Sequence, residues 1–360
     1  MRRWLIITIA VAQVALLAFM AGQREWVVRT GRTVWLRTVP VDPIDPMRGA
    51  YARLNYEISR VPKERCRDGL SEWFAQKFPA RMRDREVYAV MKSGAHGLVE
   101  LEQLTDRPPS GGLFLRGRCD WWGSEDQVAV RYGIEALFLP QAKARELERA
   151  AIERNTKEGR RIDAEVAVGP SGLAVLKGYR WEPLGVTLKT EVAPVSAGEV
   201  VRKGDQRPVV AVVVELKNHG DQPVAVWAPA GGAAFRLLPE VRWGETRCRW
   251  AGADRPRPKP EAADIRTLQP GESLSTRIDL AAPEWAVVCR EEKGGDERRA
   301  AIPSVAERTV AGWCFQIEYT PPDPTACAGL PGGDVLWRQN LRTAVFHPMA
   351  SAPDPKVQRR

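Results

Sequence analysis

A continuous apolar run opens the chain: Trp4-Leu5-Ile6-Ile7-Thr8-Ile9-Ala10-Val11-Ala12-Gln13-Val14-Ala15-Leu16-Leu17-Ala18-Phe19-Met20-Ala21, interrupted only by Thr8 and Gln13. Apolarity on all sides predicts a helix that faces lipid, and at ~1.5 Å per residue its length approaches the ~30 Å hydrocarbon layer. Short alternating runs follow: Thr33 to Thr38, Tyr51 to Ile58, Glu86 to Met91, Leu98 to Leu101, Leu113 to Arg116 and Gln127 to Tyr132. Each is rich in β-branched and aromatic residues and bounded by Gly, Pro, Asp or Ser, which predicts strands. Pro140 to Arg154 breaks the alternation with strong helix formers behind a proline at the favoured first position, and predicts a helix of about four turns. Ile162 to Val168 and Leu173 to Lys177, joined by Gly169-Pro170-Ser171-Gly172, predict a hairpin.

From about Pro183 the strands continue without a long helix: Val209 to Leu216, Pro223 to Trp227, Phe235 to Leu238, Glu272 to Leu280 and Gly312 to Tyr319. That spacing of strands and turns predicts an antiparallel β-sandwich. Asp254-Arg255-Pro256-Arg257-Pro258-Lys259-Pro260 predicts an extended loop, because repeated prolines cannot join a ladder. The chain therefore reads as mainly β, with an anchor over residues 1–22, a β-rich domain with one helix over 23–180, a sandwich domain over 181–350 and a disordered tail over 351–360.

Composition narrows the classes. A length of 360 residues suits two domains, and 44% hydrophobic with 28% charged residues excludes both a mainly disordered chain and a multi-span membrane protein. The net charge of +9 arises from 54 Lys and Arg scattered among 45 Asp and Glu, a solvated basic surface rather than a nucleic-acid groove. The apolar run reads as an uncleaved signal anchor through residues 4–22, because Phe19 or Met20 takes a small-residue position of a cleavage site in the best placements. Arg2 and Arg3 on one side and Arg24, Arg29, Arg32 and Arg37 on the other leave the positive-inside comparison balanced. The short Arg-Arg head is like that of an export signal, so the expected location of the bulk is outside the cytoplasm.

The densest motif is Gly49-Ala50-Tyr51-Ala52-Arg53-Leu54-Asn55-Tyr56, preceded by Asp42-Pro43-Ile44-Asp45-Pro46. It resembles the bacterial GDYXXLXY family of membrane-anchored proteins. Gly49, Tyr51, Leu54 and Tyr56 match, while Ala50 replaces the aspartate. The likeness extends to Tyr132-Gly133-Ile134-Glu135-Ala136-Leu137-Phe138-Leu139 and covers roughly residues 1–179. It implies a membrane-anchored protein with an integral membrane or envelope protein as partner; with the export-like head, the expected location is the bacterial inner membrane, single-pass, with the bulk in the periplasm. On one regular strand Leu54 and Tyr56 share a face and Tyr51 takes the other. The motif reads first as a strand entry serving the core, and second as a binding surface through Tyr51 and Tyr56. The missing aspartate argues against catalysis by the motif. The C-terminal half is similar to bacterial immunoglobulin-like domains in Asn218 to Val224, Leu268 to Ser273 and Gly312 to Tyr319, an architectural likeness only.

Candidate chemistry is sparse. No Gly-x-Ser-x-Gly occurs, and Ile44 to Met47 stands where a membrane Ser–Lys protease would carry its serine. Asp42 and Asp45 fall short of the oxygens Ca²⁺ prefers, and His96, His219 and His347 lie far apart, so no metal or cofactor is expected. Six cysteines without a Cys-x-x-Cys exclude a zinc knuckle. Pairing within halves would join Cys66 to Cys119 and leave three arrangements for Cys248, Cys289, Cys314 and Cys327, with buried thiols as the other reading. Trp121-Trp122, in an expected turn, either cover the end of the β-layer or form a platform for a glycan or protein. The expectation is a non-enzymatic envelope protein. A glycan or small-ligand binding module is the alternative, and a divergent membrane-bound hydrolase stands behind both.

Overall fold

The computed structural model describes residues 2–39, 51–75, 84–94, 97–120, 127–195, 204–241, 246–291, 297–306 and 313–351. The protein is mainly β, with several antiparallel sheets behind an N-terminal apolar helix. It divides into two compact units, residues 1–151 with 161–181, and residues 152–160 with 182–360, so the chain passes between them after Ala151, Arg160 and Trp181.

Helix α1 (Arg2–Thr30) extends past the apolar run, and Ile6–Thr30 is long and apolar enough to cross a membrane. Gly31 alone separates it from β1 (Arg32–Val39). The first unit then builds β2 (Tyr51–Arg53), β3 (Asn55–Tyr56), β4 (Arg60–Pro62), β5 (Arg85–Ser93), β6 (Val99–Thr105), β7 (Leu113–Asp120), β8 (Gln127–Arg131), β9 (Ala136–Phe138), β10 (Ile162–Val168) and β11 (Ala174–Trp181). One sheet runs β4-β8-β7-β5-β6, another β11-β10-β1-β3, and β2 pairs with β9. The alternation read in Gln127 to Arg131 appears as alternating exposure and burial along β8, whereas β10 is buried on nearly every residue. Leu36, Tyr56, Val87, Leu115, Val130 and Val166 share the core. Each fully buried Val or Leu there stabilises by roughly 1.5–3 kcal/mol.

Two expectations change. The predicted strand Tyr51 to Ile58 is split at Leu54, where β2 leaves β9 and β3 joins β1, and it ends early because Glu57–Ser59 turns as a 3-10 helix. The first unit has more than one helix: α2 (Gly69–Phe74) buries Leu70 and Trp73, and the expected helix, α3 (Gln141–Glu158), reaches a turn beyond Arg154. Leu147 is its described buried apolar residue.

In the second unit, β12 (Leu184–Val192), β13 (Gln206–Asn218) and β18 (Ser273–Asp279) form one sheet, with β23 (Met349–Ser351) on β13. Smaller sheets join β14 (Val224–Trp227) to β17 (Ile265–Leu268), β15 (Phe235–Val241) to β21 (Trp313–Tyr319) and β22 (Leu341–Arg342), and β16 (Thr246–Trp250) to β19 (Val287–Glu291) and β20 (Arg298–Ala300). Val212, Trp227, Leu237, Ile278, Phe315 and Trp337 lie in its core. The proline loop is pinned by Arg257, whose guanidinium sits 4.9 Å from the Trp227 ring and donates to the Thr320 and Pro321 carbonyls. Asn218 closes its turn by donating to the carbonyls of Gln222 at 2.8 Å and Leu268 at 3.0 Å. Of the tail, residues 352–360 lie outside the described residues.

Candidate functional site

The two segments that carry the motif likeness lie against each other. Tyr51, Ala52 and Arg53 of β2 pair with Phe138, Leu137 and Ala136 of β9, and the Leu54 amide continues the ladder by donating to the Glu135 carbonyl at 2.8 Å. The side chains then lock the junction in both directions. The Tyr56 hydroxyl donates to the Ile134 carbonyl at 2.6 Å, and the Tyr132 hydroxyl donates to the Ile58 carbonyl at 2.8 Å. The Tyr132 amide in turn donates to the Glu135 carboxylate at 2.5 Å. Burial first, and the neighbouring Glu135 second, push both phenols far above their ordinary pKa, so each remains a neutral O–H donor.

This geometry corrects the surface reading of Tyr56. Tyr56 is 1% exposed and Leu54 is 5% exposed, and the Tyr56 hydroxyl is spent on a backbone carbonyl, so neither offers a face to a ligand. Tyr51 is placed in β2. Gly49, the Asp42 to Pro46 lead-in, Trp121 and Trp122 lie outside the described residues.

A second cluster occupies one rung of the β1-β10-β11 sheet, where Arg37, Asp163 and Arg180 stand directly opposite one another. Asp163 is fully buried between guanidinium groups at 3.8 Å, from Arg37, and 3.3 Å, from Arg180. Arg180 also lies 4.1 Å from the centre of the Trp35 ring. Burial outweighs the two arginines and raises the Asp163 carboxyl above the usual carboxylate range. Beside the rung, Arg161 pairs with Glu57 at 3.1 Å and the Thr38 hydroxyl donates to the Ile162 carbonyl. Such an arrangement fixes strand register. The sequence signal for it is Asp163 in the mainly apolar run Ile162 to Val168, where Glu165 is the other acid.

The third feature is the seating of α1. Val27 is buried although its neighbour Trp26 is 67% exposed, and the Gly31 amide caps the helix by donating to the Val27 carbonyl at 2.8 Å. A Cβ on Gly169 would stand 2.9 Å from Val27, so the β10–β11 turn approaches the helix as only glycine permits without adjustment.

The cysteines divide unevenly. Cys248 and Cys289 are directly opposed on β16 and β19 and form a disulfide. Cys66 and Cys119, expected as a bridge, instead stand as buried thiols. Their shared core packs apolar groups around them, and burial, with Cys119 second, pushes the Cys66 thiol up to about 11. Cys314 and Cys327 are also buried. Among the described residues no three His, Cys, Asp or Glu side chains are grouped to hold a metal ion.

Comparison with known proteins adds one finding. Residues 13–178 match the family described as GDYXXLXY protein, a stretch that runs from within α1 to within β11. No curated protein and no solved structure matches the chain.

Proposed function

We propose, from the premise that residues 13–178 carry a GDYXXLXY family domain, that the chain is a non-enzymatic, single-span envelope protein presenting its β-rich units to a membrane protein partner. The observation that carries this reading is α1. Its apolar window has none of its residues buried, and the helix passes through one glycine into the first sheet. A helix apolar all round and left uncovered by its own protein is stable only in lipid or against another apolar surface. The motif residues support the non-enzymatic side, because Leu54, Tyr56 and Tyr132 are consumed in packing and backbone hydrogen bonds. The reading places the bulk in the periplasm of a bacterial inner membrane and treats the second unit as an immunoglobulin-like module.

Photocrosslinking tests it. A benzoylphenylalanine at Lys143, Glu146 or Glu153, exposed positions of α3, in the membrane-inserted full chain at native expression should yield one discrete adduct with a membrane protein. Adducts with lipid alone at every position would overturn the partner reading. Protease digestion of intact against permeabilised cells tests the side, and degradation of both units only from the cytoplasmic face would reverse it.

A further inference from the structure

The join between α1 and the first unit is short, so the near edge of the unit stays within reach of the bilayer. The apolar run ends at Gly22, and Val27 stands five positions on, about 8 Å along the helix. A headgroup layer is about 5–8 Å thick on each side of the hydrocarbon. Val27 therefore stands at the outer limit of the headgroups, and whatever packs on it can reach the lipid surface. Exposed Trp4 and Trp26, about 33 Å apart along the helix, sit where tryptophan marks the two interfaces.

What packs there is specific. Gly169 of the β10–β11 turn meets Val27, and Gly172 at the other end of that turn has φ +75° and approaches Phe114 so closely that a Cβ would stand 2.6 Å from its ring. The Gly172 carbonyl accepts from the Arg116 amide at 2.8 Å, which holds β7 beside the turn. Arg32 opens β1 opposite Val168, and its guanidinium reaches Ser93 at the end of β5 at 3.4 Å. The charges on this rim do not cancel. Arg29 is offset by Glu25 at 2.7 Å, Lys92 by Glu100 at 3.2 Å, and Lys177 by Glu165 at 3.2 Å. Arg24, Arg32 and Arg116 are exposed and remain as a positive excess.

We propose that this rim is a membrane seat, in which Arg24, Arg32 and Arg116 bind the phosphate groups of anionic phospholipids in the leaflet from which α1 emerges. The seat rests on the reading of α1 as a membrane span. Charge complementarity and the position of Val27 both select the lipid surface as the occupant. Each arginine near such a surface favours the seated state roughly fivefold.

The test uses the full chain in nanodiscs of phosphatidylcholine, with or without phosphatidylglycerol. A nitroxide on Ser171→Cys, in the exposed turn, is compared with one on Glu57→Cys, beside the far end of β1. In anionic discs the Ser171 label should be several-fold less accessible to a nickel chelate than in zwitterionic discs, with the Glu57 label unchanged. Replacing Arg24, Arg32 and Arg116 together by Gln should remove the difference. Equal accessibility in both lipids, or full protection in the triple variant, would overturn the seat. A chain that fails to stay with the discs at all would overturn the anchor reading first, which disc co-elution reports separately.

Discussion

The reciprocal tyrosine lock makes a quantitative demand on the GDYXXLXY motif. Tyr56→Phe removes one hydroxyl and leaves the ring in place, but its acceptor, the Ile134 carbonyl, stays buried without that donor. Losing a net hydrogen bond and stranding a buried carbonyl costs about 1–3 kcal/mol. For a unit of this size each kcal/mol lowers the midpoint by ~2–4 °C, so a loss of about 2–12 °C is expected. Tyr132→Phe should cost a similar amount, since its hydroxyl serves the Ile58 carbonyl in the same way. The control is Tyr88→Phe, whose hydroxyl bonds the exposed Glu86 and should matter by less than about 0.5 kcal/mol. Thermal and urea unfolding of the full chain in detergent, with hydrogen exchange followed over residues 127–138, separates local from global loosening. Equal midpoints for Tyr56→Phe and Tyr88→Phe, with unchanged exchange, would refute the lock and return Tyr56 to a functional role.

Three further outcomes follow from the described geometry. Asp163→Ala should destabilise the first unit by about 3–5 kcal/mol in urea unfolding, because it leaves Arg37 buried beside no carboxylate on its rung, whereas Asp163→Leu with Arg37→Met should recover most of that loss. Cys66 has a folded-state value raised from 9.0 to about 11, so its contribution to stability is complete below about pH 9 and is lost as pH rises through about 11. Cys66→Ala should therefore flatten that alkaline limb of the pH–stability curve. Replacing Cys248 and Cys289 by Ser opens a loop whose ends are 41 residues apart and should cost about 4 kcal/mol in the second unit, measured as a lower urea midpoint matched by dithiothreitol treatment of the parent.

Local periodicity carried far in this chain because each strand must show one face to a core. Thr33 to Thr38, Glu86 to Met91 and Gln127 to Tyr132 became β1, β5 and β8 within a few residues of the expected bounds. Pairing partners were not legible. The hairpin β10–β11 was readable from Gly169 to Gly172, yet nothing local says that β10 also takes β1 as its other neighbour. The Arg37–Asp163–Arg180 rung depends on that choice, so it stayed invisible for the same reason. The C-terminal cysteines repeat the lesson: the register of β16 on β19 joins Cys248 to Cys289, while Cys314 and Cys327 stay buried thiols, so none of the three full pairings is realised. The lock between Tyr56 and Tyr132 joined two segments that the motif likeness had singled out separately, but whether their hydroxyls met a ligand or a carbonyl needed coordinates.

The order in which the strands enter their sheets has a consequence for synthesis. β1 leaves the ribosome directly behind α1, but its ladder partner β10 is made only after α3 has been added. During that interval Val34 and Leu36, buried in the finished fold, have no completed sheet to cover them, which leaves the nascent segment prone to aggregation. A chain stopped at residue 150 would keep its family motif but lack the strand on which β1 is registered, so the first unit can close its sheet only once Trp181 has emerged.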